Sequence, residues 1–538
     1  MRSFFEKFDA LASIETTDRR ARLFERLAFF FLVLMTFSMP HSIAATQSAW
    51  ILGMLCWIVR FFFKPRPRLV KTPLDIALWA FFLWTVVSSV FSYAPDISLD
   101  KLRGASLFLI FYFVINNVRS LRAAGFLALA LVFSCMVNVV WTPIERVIGR
   151  GVEIGGVAAE SPLAKAFLSP GDTLLKANGK RLKTPEDVLA EIERNEVTKI
   201  EYYRPDFYAV AEVKRADLLP GASALERLGI DGWEKSRNWR SQGFYGHYAT
   251  YAEVLQLIAS LVFGLFIAFL TQWRKDARSR KLTVVFFICL CAMSFALLLT
   301  VTRASQLAFM ISAFSIVILS GSRRLILALA VVALPVALGG LIFLQQSREV
   351  GFFDRSDESI SWRQTVWREG FELWTKNARN FTLGVGMDSI KRYAKQWRLF
   401  DDGRLPMGHF HSTPLQLVVE RGFPALLLWL WILYLYGKTL IRGMKNEKWK
   451  MENGKWKMEN AEEKPARSAS EENSVLSTQY SALSTPNSAL AAGVLLGCFG
   501  GAVGFVVSGL VHYNLGDAEV AMVFFLLMGL GIKFARQK

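Results

Sequence analysis

Residues 409–428 read HFHSTPLQLVVERGFPALLL, a stretch that joins polar chemistry to an apolar run. Two histidines stand two apart, a Ser-Thr-Pro turn follows, and the run beginning at Leu415 carries Gln416, Glu420 and Arg421. Thr413 can cap a helix, Pro414 suits its first position, and Gln416, three after Thr413, completes a capping box. A segment facing only lipid has no use for these polar groups. The spacing predicts a membrane helix opening at 413–414, with His411 just before it at one edge of the bilayer.

Around this stretch lies a chain of 538 residues, 53% hydrophobic, with 43 Phe. Apolar runs near 20 residues match the thickness of a bilayer's hydrocarbon core, and about twelve can be counted. They cover roughly 26–42, 43–63, 74–93, 104–118, 123–144, 248–271, 282–301, 304–320, 325–344, 414–436, 489–511 and 519–535. The expected fold class is an all-α polytopic membrane protein with about 12 transmembrane helices and a small α/β insert outside the membrane. The net charge of +18 is not a nucleic-acid signature, because the basic residues recur between alternate spans. Lys64–Lys71, Arg119 with Arg122, Arg274–Lys281 and Arg323 with Arg324 mark cytoplasmic loops by the positive-inside bias, and both termini fall on the same side. That alternation implies a protein that crosses a membrane many times, with its remaining loops facing the outside or the periplasm. The five cysteines all fall within apolar runs and read as packing residues.

The expected organisation is 1–145, amino-terminal transmembrane helices; 146–216, a folded insert; 217–436, a central membrane region with an outer loop at 345–412; 437–488, a cytoplasmic loop; and 489–538, the last transmembrane helices. The insert contains SPLAKAFLSPGDTLLKANGKRL (161–182). Turn and cap signals predict helices near 162–166 and 185–193, strands at 172–177 and 199–204, and a turn at Asn178-Gly179. This motif resembles a PDZ domain, a fold that binds extended peptide ends by strand addition. The carboxylate-binding loop usual before its first strand is not recognisable here, and a periplasmic role in docking an envelope protein, or as a spacer, stands beside peptide binding. The loop 437–488 is low in complexity: KWKMENG is followed by KWKMEN, and SVLSTQY by SALSTPN. It predicts a linker without chemistry.

All five histidines (His41, His247, His409, His411, His512) fall at outer ends of expected spans, and Arg240, Arg303 and Arg363 share that face. Arg303 begins a span, where the helix amino end already carries positive character; an anion there would satisfy both, since arginine and helix amino ends each bind phosphate. An interface anchor is the plainer alternative. Around Arg363, residues Ile360, Trp367, Phe371 and Trp374 recur at helical spacing, as in a helix lying in the membrane interface or a sugar-stacking surface. Gly384-Val385-Gly386 is a weak phosphate-loop signal. His411 can accept a proton at neutral pH. His409 and His411 have no partner at metal-ligand spacing, so no metal or other cofactor is expected.

Together TVTRASQLAF (300–309), SWRQTVW (361–367), LGVGMDS (383–389) and HFHSTPLQLVVERGFPALLL resemble the O-antigen ligase family, which includes polysaccharide polymerases and protein O-oligosaccharyltransferases. RSQGFYGHYATYAEVL (240–255) resembles the motif preceding that family's central spans, while Ser412 departs from its common His-Asn pair. The resemblance implies a glycosyltransferase of ligase type, moving a glycan from a polyprenyl-diphosphate carrier to an acceptor hydroxyl, with lipid A-core the foremost acceptor. It implies His411 and Arg303 as catalytic groups. Arg240, Arg363, His409, Gln416 and Glu420 would bind substrate. Membrane lipids surround the site, and no nucleic acid is expected. Polymerase and protein-glycosylating activities remain open alternatives, as do a secondary transporter and an envelope scaffold or sensor.

Overall fold

Helix length decides which apolar stretches can cross a bilayer. In the computed structural model, residues 2–204, 207–274, 277–321, 327, 358–405, 408–446, 449–452, 455–458 and 488–536 are described. The long helices used below are α1 (Arg19–Ser38), α2 (Ile43–Arg60), α3 (Asp75–Val90), α4 (Leu121–Ile148), α5 (Tyr248–Thr271), α6 (Ala277–Leu299), α7 (Arg303–Ser320), α8 (Glu358–Thr375), α9 (Thr413–Asn446), α10 (Ser488–Gly509) and α11 (Ala518–Ala535). Among the described residues, eight helices are long and apolar enough to span: α2, α4, α5, α6, α7, α9, α10 and α11. The chain is thus a multi-pass membrane protein. The apolar α3 has 16 residues. The stretch 104–118 falls on three consecutive helical segments, Leu102–Ala105, Ser106–Phe108 and Leu109–Asn117, with Ile110, Phe111, Phe113 and Val114 fully buried. At 1.5 Å per residue the segments from 102 to 117 cover about 24 Å of a ~30 Å hydrocarbon core. The expected span 325–344 lies outside the described residues. Within the 437–488 linker, Trp449–Glu452 and Lys455–Met458 pair as an antiparallel hairpin.

Two units divide the chain: one comprises Met1–Met136, Phe244–Leu298 and Thr302–Lys538, the other Val137–Gly243 with Leu299–Val301. In the first, small residues let helix backbones approach closely. A Cβ on Gly497 would stand 2.5 Å from the Leu261 Cα, and one on Gly493 would stand 2.7 Å from the Leu265 Cα, so α10 lies hard against α5. The Ser312 hydroxyl donates to the Ser260 hydroxyl at 2.7 Å and ties α7 to the same pair. Near the other end of α1, buried Glu25 accepts from Arg60 at 2.8 Å and Arg119 at 2.9 Å, and Thr16 donates to it as well. A buried carboxylate is tolerated only when saturated in this way.

The element that shapes the site is α9, and it is broken. Gly422 has φ 76° and ψ 172°, a backbone region open essentially to glycine alone, and Pro424 follows. The 413–421 piece therefore stands apart from the membrane-length piece behind it. The carbonyls freed at the break find new donors: Val385 N–H donates to the Val419 carbonyl at 2.8 Å, Gly386 N–H to the Glu420 carbonyl at 2.8 Å, and Trp84 Nε1 to the Arg421 carbonyl at 2.8 Å. Ser88 Oγ also donates to the Glu420 carbonyl, at 3.1 Å. Helix α8 packs on this piece through Val366 and Leu373, which share a core with Phe410, Val418 and Val419.

In the second unit a six-stranded sheet forms from β1 (Arg150–Ile154), β2 (Thr173–Ala177), β3 (Lys180–Arg181), β4 (Val197–Arg204), β5 (Phe207–Lys214) and β6 (Trp233–Ser236). Its order is β5-β4-β2-β1-β6, all antiparallel, with β3 paired to β2. Helices Pro162–Lys165 and Pro185–Arg194 and the left-handed turn at Asn178-Gly179 fall where the sequence predicts them. The Leu163, Leu174, Val188, Ile192, Ile200 and Val213 side chains close the core. β6 and the helix Ala224–Leu228 extend this unit beyond residue 216.

Gly422→Ala tests the break. Its Cβ would collide with the Thr382 carbonyl and force a φ that only glycine adopts freely. A loss of more than about 2 kcal/mol is expected, seen as a lowered Tm of the detergent-purified protein. An unchanged Tm would show that the break is not a fixed feature.

Candidate functional site

Polar contacts join several helix ends at one end of the first unit. His247 caps α5 by accepting from the Ala249 N–H at 3.2 Å, and Asp517 caps α11 while accepting from the Thr250 hydroxyl at 2.5 Å. Just past α10, His512 Nδ1 lies 3.5 Å from buried Glu253 of α5. Its backbone carbonyl accepts from Thr413 N–H at 3.0 Å and Thr413 Oγ1 at 3.1 Å. His41 follows α1 and meets Ser134 of α4 at 2.9 Å. Residues 308 and 504 are neighbours on α7 and α10, so Arg303 and the end of α10 point the same way. The expectation that histidines and Arg303 gather at a common end is thereby given a geometry.

The cap of α9 differs from the expected one. Ser412 is the residue before the helix, its carbonyl accepting from Gln416 N–H at 2.8 Å. Thr413 is instead the first helical residue, its hydroxyl donating to the His512 carbonyl and to Asn514 Oδ1 at 2.9 Å. Gln416 forms no box with Thr413. Its Oε1 reaches back to accept from Phe410 N–H at 2.8 Å, and its Nε2 donates to Glu420 Oε1 at 2.8 Å. Glu420, 2% exposed, also accepts from Asp388 N–H at 2.9 Å and from Tyr513 OH at 3.4 Å. Arg421 donates to the same phenol at 3.4 Å. Gln416 and Glu420 thus brace the loop that carries the histidines. The Gly384, Val385 and Gly386 N–H groups are all occupied, by the Asn380, Val419 and Glu420 carbonyls, so this glycine pair forms no phosphate cradle.

His411 is the strained member. Its φ is +47°, a left-handed conformation costing about 1 kcal/mol or more for a non-glycine residue. Its ring stands edge-on to Trp362 at 4.5 Å between centroids and 4.0 Å from the His409 ring. Trp367 Nε1 donates to the Phe410 carbonyl at 2.9 Å and pins the chain between the two histidines. Burial, then His409, Arg363, His512 and His247, drive the His411 pKa down to about 2. Burial and Lys391 likewise lower that of His409. Both rings are therefore neutral at physiological pH. His409 Nδ1 accepts from the His411 N–H at 3.3 Å, which leaves its proton on Nε2.

The arginines divide. Arg303 is the first residue of α7, as expected, and Arg363 of α8 is near enough to His411 to disfavour its protonation. Arg240 belongs to the second unit, where it donates to the carbonyls of Thr300 at 3.3 Å and Val301 at 2.8 Å. Val301 is left-handed at φ +53°, an outlier for a β-branched residue. Asp388, Tyr513 and Asn514 did not figure among the expected site residues. The HYN run at 512–514, directly after a span, was the available signal for two of them.

A depressed histidine pKa has a signed consequence. Between about pH 6.5 and 2 the unfolded chain binds a proton at His411 that the folded chain does not. Stability therefore falls as pH drops through that window. His411→Gln should lose less Tm than the parent between pH 7 and 5; equal losses would show that the ring is not buried as a neutral group.

Residues 287–430 match the family model described as O-antigen ligase. Over 43 residues the chain is also 51% identical to the magnetosome formation protease MamE of Paramagnetospirillum magneticum. That stretch covers 8% of this chain and 6% of the relative, so it bears on a small part of either protein. The matched segment 287–430 contains Arg303, Arg363, His409, His411, Gln416 and Glu420, and it supports the O-antigen ligase family for this membrane protein.

Proposed function

We propose that the protein is an O-antigen ligase-like glycosyltransferase. It moves a glycan from a polyprenyl-diphosphate carrier to an acceptor hydroxyl, foremost on lipid A-core, at the periplasmic face of the bacterial inner membrane. The observation that carries this reading is His411, a neutral imidazole held in a strained backbone against Trp362 and beside Arg363. The family match over 287–430 supports the same reaction class.

In this mechanism the acceptor hydroxyl oxygen attacks the anomeric carbon, and its proton passes to His411. The bond from that carbon to the diphosphate oxygen breaks, and its electron pair leaves with the phosphate. Arg303, at a helix amino end, and Arg363 meet the negative charge that develops there. Donor binding also arms the base. In the empty site burial above all, and then the neighbouring imidazoles and Arg363, disfavour a proton on His411; a bound diphosphate offsets the charged part of that effect and raises the basicity of the ring. His409 lines the approach, and Gln416 and Glu420 fix the loop. The insert at 146–216, on the strength of its 161–182 motif, is a periplasmic PDZ-like module for docking an envelope protein, and both termini are cytoplasmic.

Purified protein with a lipid-linked glycan and candidate acceptors tests the assignment, with donor binding and turnover measured separately. His411→Ala should lose turnover by about 10²–10⁴-fold while still binding donor. Arg303→Lys keeps the charge but loses the bidentate fork, so donor binding and turnover should both fall. Full turnover in either variant removes that residue's role. Product on lipid A-core, on a second glycan chain or on protein separates ligase, polymerase and protein-glycosylating activities. In a cysteine-free background, Lys180→Cys should react with an impermeant maleimide in cells with a permeabilised outer membrane, and Arg278→Cys should not; the reverse pattern inverts the topology.

A further inference from the structure

Beside the histidine loop, one carboxylate serves two ammonium groups. Lys101 Nζ lies 2.8 Å and Lys391 Nζ 3.1 Å from the same oxygen, Oδ2 of Asp388. The neighbouring charges are paired one to one: Arg392 with Asp96 at 2.6 Å, and Arg103 with Asp100 at 3.3 Å. The trio thus carries one unbalanced positive charge in a partly open setting, with the lysine side chains 40% and 53% exposed and Asp388 19%. Burial alone would raise the Asp388 carboxyl, but the hydrogen bonds from Lys101 and Lys391 outweigh it and hold the group below the ordinary range.

Two further facts tie the trio to the site. Asp388 is left-handed at φ +56°, and its N–H donates to Glu420, so the trio is fixed to the broken helix. Lys391 and Asp388 are also the first two charged groups felt by the His409 ring. Lys101 follows α3, whose chain continues through Tyr93 N–H, which donates to the Val385 carbonyl at 3.1 Å. On the alternation of basic loops this is the outer side, where the positive-inside bias gives no reason for a lysine pair.

We propose that Lys101 and Lys391 form an anion subsite for a phosphoryl group of a membrane-borne glycolipid substrate, with Asp388 as the internal counter-charge that the substrate displaces. The inference rests on the glycosyl-transfer reading for the identity of its ligand. Two ammoniums converging on a single oxygen suit a phosphate, whose several oxygens can take both at once, better than they suit one carboxylate. The phosphate can belong to the donor's diphosphate or to a phosphorylated acceptor, and the two sources are separable.

The test uses the full-length protein in nanodiscs and measures Kd for two probes, sugar-free undecaprenyl diphosphate and bisphosphorylated lipid A. Lys101→Gln with Lys391→Gln should weaken at least one probe on the order of tenfold or more, as expected for losing charge-assisted hydrogen bonds. Loss confined to the diphosphate assigns the donor; loss confined to lipid A assigns the acceptor. Asp388→Asn should have the opposite sign, binding the same probe more tightly because the competing carboxylate is gone. A merely structural ion pair predicts no such gain. The double Lys→Arg variant should retain binding, and Lys391→Gln alone carries the test if the double Gln variant is not recovered. Unchanged binding of both probes in the Gln variant, or no gain in Asp388→Asn, overturns the proposal. Binding needs no turnover, so a parent protein that holds the probes as expected but transfers no glycan would refute the reaction and leave the subsite standing.

Discussion

An interrupted helix must find partners for the carbonyls it releases, and in or near hydrocarbon each one left alone costs several kcal/mol. The arrangement around His411 follows from how this chain meets that demand at Gly422. The freed carbonyls of Val419, Glu420 and Arg421 are taken by Val385, Gly386 and Trp84. Those contacts fix the 384–388 turn, which presents the Asp388 N–H to Glu420. Glu420 in turn holds Gln416, and Gln416 holds the backbone of the histidine loop. A purely local rule, that only glycine accepts φ 76° with ψ 172°, is thus passed outward through hydrogen bonds to the residues that carry chemistry.

The electrostatics of the loop run against the simplest picture of a histidine base. A ring with a pKa near 2 accepts protons poorly, and the cause is burial among other cationic or potentially cationic groups. On the proposed reading this has a use. A base that gains strength only when a diphosphate arrives does not activate stray water in the empty site, so wasteful hydrolysis of the carrier lipid is suppressed.

Much of this was legible in the sequence, because hydrophobic length and charge alternation are strong signals. The helices α5, α6, α7, α10 and α11 fall close to their expected ranges, as do the insert's helices, turn and strand β2. Two features were not legible. The Thr413 cap failed because the helix starts at Thr413 itself, seated by the His512 carbonyl from nearly a hundred residues away. Gly422-Phe423-Pro424 contained a signal for a break, but it lies inside an apolar run whose length suggests continuity. Among candidate site residues, sequence spacing named His411, His409, Gln416 and Glu420, which do come together. It had no means of finding Asp388, whose relation to Glu420 exists only in three dimensions, and the HYN run at 512–514 pointed to Tyr513 without showing that it reaches Glu420.

The bond from Thr413 to the His512 carbonyl also limits how this chain can be recombined. The segment similar to O-antigen ligases ends at residue 430, whereas the groups that seat its helix start, His512 and Asn514, lie beyond the low-complexity linker. Grafting residues 287–430 into a related scaffold would carry the histidines without their anchor, unless the host supplies an equivalent carbonyl and amide. Exchange of function between such proteins is therefore a matter of transplanting the turn between the last two helices along with the histidine loop. The matched region is a chemical unit that is not a mechanical one.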